Sequence, residues 1–144
     1  MLAPPLTRNT GEESYVSPIR LQELRAIQHR QFDLTKLIRL LEEINKAKET
    51  DNLISIALLV RATLDHVPPI FGKRTFSEVA NNVGPKSFKE LMQHLEKSSR
   101  KVADAHLHNP VRKSETLPTW NQVDSSRDLD VLLAEIVRRL KAPA

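Results

Sequence analysis

Apolar positions recur every three to four residues along most of this chain, the spacing of helices that bury one face. In "LTKLIRLLEEINKAK", Leu34, Leu37, Ile38, Leu41 and Ile44 share one side, while Lys36, Arg39, Glu42, Glu43 and Lys46 occupy the other. Asp33 stands where it can cap that helix. Before it, Ser17 followed by Pro18 reads as an N-cap with proline in the first turn, opening a helix over about 18–31 with Leu21, Leu24 and Ile27 on one face. Residues 53–66, "LISIALLVRATLDH", are apolar almost all round as far as Val60, which predicts a helix in the middle of the domain. Thr50, Asp51 or Asn52 can cap it, and Pro68-Pro69 should end it.

Two capping-box patterns follow, "TFSE" at 75–78 and "SFKE" at 87–90. The second opens a long helix with Phe88, Leu91, Met92, Leu95, Ser99 and Val102 on a single stripe that extends to His106. Residues 109–126 hold two prolines and the sole tryptophan, and Trp120 and Val123 are expected to pin this connection to the bundle. The last helix, "RDLDVLLAEIVRRLK", turns Leu129, Leu132, Leu133, Ile136, Val137 and Leu140 inward. The expected fold is an all-α bundle of five or six helices with a long loop before the last. Residues 1–16, with Pro4, Pro5 and Gly11, read as a flexible leader to a single domain over 17–144.

Composition narrows the chemistry. With three glycines no glycine-rich phosphate loop can be built, and with no cysteine there is no disulfide, thiol catalysis or cysteine-based zinc site. The opening residues lack a signal-peptide pattern, and the apolar run at 53–60 is far shorter than the roughly 20 residues of a membrane span. These features point to a soluble, cytoplasmic chain. Its net charge is +4, and 97–113 alone holds five basic residues against one acid, an excess equal to that of the whole chain. Lys97, Arg100, Lys101, Arg112 and Lys113, with His108, are therefore the candidate phosphate-binding set. A solvated basic face is the alternative reading.

Arg61 follows eight mostly apolar residues and needs an acid, and Asp65 lies at i,i+4 spacing. His106 falls on the apolar stripe with Arg100, Lys101, Asp104, His108 and Arg112 close in sequence. An imidazole that moves protons beside cations that stabilise developing phosphorane charge is what phosphodiester cleavage uses. Asp104, His106 and His108 would converge on a metal only if the helix broke before His106, because alternate residues on a helix lie about 200° apart. No metal or other cofactor is expected.

Arginine followed by four to six residues and a histidine, near a helix end in a small all-α bundle, resembles the HEPN superfamily of bacterial toxin, abortive-infection and CRISPR-associated ribonucleases. "RKVADAH", Arg100 to His106, and "RATLDH", Arg61 to His66, carry the resemblance. It implies metal-independent RNA cleavage, with the histidine assisting attack by the 2′-hydroxyl, the arginine stabilising the transferring phosphate, and a site shared across a homodimer. On a straight helix Arg100 and His106 point about 120° apart, and Arg61 and His66 about 140°. A joint site therefore needs a deformed helix end or a second chain. The whole chain also resembles an uncharacterised bacterial helical domain often appended to other modules, in "FDLTKLIRLLEE", "LVRATLDHVPPIFG", "FSEVANN" and "DLDVLLAEI". Three functions follow from these features: a HEPN-like ribonuclease, a non-catalytic dimerisation or partner-docking module with an exposed apolar patch on the 18–31 helix, and a polyanion-binding module.

Overall fold

The structure, a computed structural model, describes residues 14–141. Among these residues it is all-α, with no strand: α1 (Pro18–Ala26), α2 (Thr35–Glu49), α3 (Leu53–His66), α4 (Phe76–Asn82), α5 (Lys86–Leu107), the single turn α6 (Trp120–Val123) and α7 (Ser126–Lys141). A 3-10 turn, Pro68–Phe71, follows α3. Helices α1, α2, α3, α5 and α7 each pack on the next, and α7 returns to α1, closing a ring around one core. Leu24, Leu37, Leu41, Ile44, Ile56, Leu64, Met92, Leu95, Leu129, Leu132 and Leu133 fill its centre. Burying one such side chain is worth about 1.5–3 kcal/mol, so the stripes that predict the helices also hold them together.

Local signals explain most boundaries. The Ser17 hydroxyl accepts from the Ile19 and Arg20 amides, and Thr75 with Glu78 forms the expected reciprocal capping box. Four expectations need correction. Helix α1 stops at Ala26, because Ile27 is already extended. Of the three cap candidates for α3, Asn52 holds the N-cap position without a side-chain bond, while Thr50 closes α2 through its hydroxyl, which donates to the Lys46 and Ala47 carbonyls. Helix α5 begins at Lys86 after Pro85, so Ser87 lies inside the first turn and is not its cap. Helix α3 is not enclosed all round: Ile54 is 39% exposed, as is Leu91 on α5. The turn into α5 depends on Gly84 at φ +78, where an added Cβ would come within 2.9 Å of Phe88.

Leu53–Phe71 has the length and composition to cross a membrane, with a mean hydropathy of 1.4 over 19 residues. Here it is the helix that α2, α5 and α6 pack against.

Residues 1–13 of the expected leader lie outside the described residues, but Tyr15 and Val16 belong to the core at 3% and 2% exposure. The Asn45 side chain accepts from the Val16 amide and donates to its carbonyl, so α2 satisfies this extended backbone in place of a neighbouring strand. The Tyr15 hydroxyl donates to the Val123 carbonyl and accepts from the Ser125 amide, each at 2.7 Å. Burial is the main cause that raises its pKa above the ordinary tyrosine value. Its ring meets Trp120 edge-on at 5.9 Å, and Val123 is buried beside it. Trp120 and Val123 thus anchor the long loop as expected, with a Thr119–Gln122 capping box shaping the turn.

Replacing Tyr15 by Phe removes both hydrogen bonds and leaves the Val123 carbonyl and the Ser125 amide only their bond to each other. A loss of about 1–3 kcal/mol is expected in urea unfolding, and an unchanged midpoint would contradict this anchoring role.

Candidate functional site

The strongest polar cluster lies where α3 meets α5. The side chain of Arg61 is only 11% exposed. Its Nη2 donates to Asp65 Oδ1 at 2.7 Å, and its Nη1 donates to Glu96 Oε1 at 2.9 Å and Ser99 Oγ at 3.2 Å. Burial works against the guanidinium charge, but the hydrogen bonds to Asp65 and Glu96 prevail and hold its pKa above the ordinary value. Glu96, 14% exposed, turns its second oxygen to Arg100, accepting from Nε at 3.0 Å and Nη2 at 2.6 Å. One carboxylate therefore links the two arginines singled out by sequence. Asp65 was the partner that spacing could offer, whereas Glu96 lies 35 residues away and becomes visible only when the helices pack.

The histidines sit elsewhere. His66 is half-buried at the end of α3, and burial first, then the nearby charge of Lys36, lowers its pKa. His106 is half-buried near the end of α5, close enough to Glu115 to help lower that carboxylate's pKa. The larger cause there is the Arg112 backbone amide, which donates to Glu115 at 2.9 Å, with the Arg112 guanidinium adding to it. No hydrogen bond joins either histidine to Arg61 or Arg100. Helix α5 runs unbroken through His106, so Arg100 and His106 keep the wide separation of a straight helix. The unbroken helix also removes the condition on which Asp104, His106 and His108 would share a metal. Among the described residues no group of three or more such ligands is placed to hold one.

The outer face of α5 carries Lys97, Arg100, Lys101 and Asp104, all exposed. Lys97 and Lys101, one turn apart, have no carboxylate partner among the described residues, and neither has Lys113 in the following loop. The guanidinium of Arg100 stays 55% exposed although Glu96 holds it, and Arg112 is equally open beside Glu115. His108, also exposed, continues this basic segment past the helix end. Apolar exposure is greatest at Ile19, 69%, on α1, at Leu107, 53%, at the end of α5, and at Val111, 90%, and Leu117, 75%, in the long loop. Leu117 and Pro118 face Leu53 and Ile54 across an open cavity of about 320 Å³. No protein-family model, curated protein or solved structure matches this chain.

The histidine shift has a consequence for pH. Because folded His66 takes up its proton less readily than the unfolded chain does, the unfolded state binds more protons on acidification. Stability linked to His66 is full above the ordinary value of 6.5 and declines as the pH falls below it. Urea unfolding at pH 8 and pH 5 should show the wild type losing more stability than His66→Gln, and equal losses would contradict the assignment.

Proposed function

We propose that this chain is a cytoplasmic RNA-binding helical module that takes the phosphate backbone of single-stranded RNA on the outer face of α5. The observation that carries this reading is the pairing of exposed Lys97 and Lys101, without carboxylate partners, in the segment that supplies the chain's whole net charge. Lys113 extends the positive surface along the loop, beside His108 and beside Arg112, which Glu115 pairs. Each ammonium that neutralises a phosphate releases condensed counterions, so affinity comes from charge rather than base identity. Neither metal nor cofactor is needed for such binding.

A second reading, RNA cleavage of the HEPN type, draws support from the accessibility of both Arg100 and His106. Their directions on an unbroken α5 make a composite site require a second copy, with Arg100 of one chain and His106 of the other meeting a scissile phosphate. Arg61 and His66 fit this role less well, since Arg61 already satisfies Asp65, Glu96 and Ser99. In that reading the protein works as a homodimer and the histidine moves the 2′-hydroxyl proton.

Anisotropy of labelled single-stranded RNA at increasing salt tests the first reading. The logarithm of the affinity should fall linearly with the logarithm of salt concentration, by about 0.7 per neutralised phosphate, and Lys97→Gln with Lys101→Gln should flatten the slope by roughly 1.4. No binding, or binding indifferent to salt, contradicts it. The same RNA incubated in EDTA tests the second: 2′,3′-cyclic phosphate ends that vanish in His106→Ala support cleavage, and intact RNA rejects it.

A further inference from the structure

We propose that Glu96 is an intramolecular competitor for phosphate at Arg100, so that the arginine on the outer face of α5 is withheld from RNA in the resting protein. The inference rests on the RNA-binding reading above and concerns the regulation of that same surface. Glu96 presents its two oxygens to two different guanidiniums, Oε1 to Arg61 and Oε2 to Arg100. A phosphodiester would offer Arg100 a similar pair of anionic oxygens. The carboxylate is only 14% exposed and is fixed from behind by Arg61 on the neighbouring helix, so it does not drift away as an exposed glutamate would. Arg100 is therefore engaged on one side by a held acceptor and open to solvent on the other. Lys97 and Lys101 meet no such competition, and binding falls to them.

Arg61 depends less on this carboxylate than Arg100 does. It keeps Asp65 at 2.7 Å and Ser99 at 3.2 Å, whereas Glu96 is the sole acceptor of Arg100 among the described residues. Glu96→Gln consequently separates the two functions of this residue. The amide oxygen can still accept from Arg61, while the amide nitrogen is a donor and cannot hold Arg100. Neutralising or displacing Glu96 adds one phosphate contact to the face without moving a helix.

The test is the salt dependence of single-stranded RNA binding across a set of variants. Arg100→Gln should leave the slope of the wild type unchanged, although Lys101→Gln lowers it by about 0.7. Glu96→Gln should raise the slope by about 0.7, and Arg100→Gln added to Glu96→Gln should return it to the wild-type value. Asp104→Asn removes the same charge from the same exposed face but frees no arginine, and should leave the slope unchanged. A slope lowered by Arg100→Gln as much as by Lys101→Gln overturns the proposal, independently of whether Glu96→Gln folds. So does a gain from Asp104→Asn equal to that from Glu96→Gln. A wild-type chain without salt-dependent binding is a different failure, which removes the RNA-binding reading and this inference with it.

Discussion

A guanidinium set into the apolar helix at the centre of this bundle must find anionic partners, and that requirement organises the junction of α3 and α5. Left unpaired at 11% exposure, Arg61 would cost several kcal/mol, enough to consume much of the stability of a domain this size. Asp65 on the same helix meets part of the need. Glu96 meets the rest from α5, and with Ser99 it fixes how these two helices face one another. Replacing the whole cluster with apolar residues would leave the core intact; breaking it from one side would not, because a buried charge would remain.

That requirement also shapes the outer surface. Glu96 is drawn inward by Arg61 and also engages Arg100, whose side chain stays 55% exposed. The outer face of α5 is left with lysines that no carboxylate neutralises, a few residues from a loop that adds Arg112 and Lys113. The same ion cluster therefore serves a structural purpose on its inner side and sets the charge available to an anionic partner on its outer side. The histidines lie apart from it, His66 at the end of α3, where burial and then the charge of Lys36 lower its pKa, and His106 near the end of α5.

The helices were largely legible because burial repeats with the helical period. All six apolar positions read for the last helix are buried, and the Ser17 and Thr75 caps form as their sequence suggests. Three features escaped for physical reasons. Tyr15 and Val16 follow a proline-containing stretch with little periodicity, and their burial depends on Asn45 and the Val123–Ser125 backbone far along the chain. The true start of α5 was hidden because "SFKE" matches a capping pattern two residues beyond Pro85, which itself takes the N-cap position. The Glu96 link between Arg61 and Arg100 was invisible because sequence spacing reports neighbours on one helix, not acids brought from another. The basic segment itself could be read directly, whereas the separation of its arginine from its histidine needed the unbroken course of α5.

The measurement that bears most directly on this account is side-chain NMR of the lysine ammonium and arginine Nε–H groups during titration with single-stranded RNA. The account predicts that Lys97 and Lys101 shift progressively while Arg61 stays fixed in its ion cluster. Unmoved Lys97 and Lys101 signals, or RNA that perturbs Arg61 before either lysine, would contradict it.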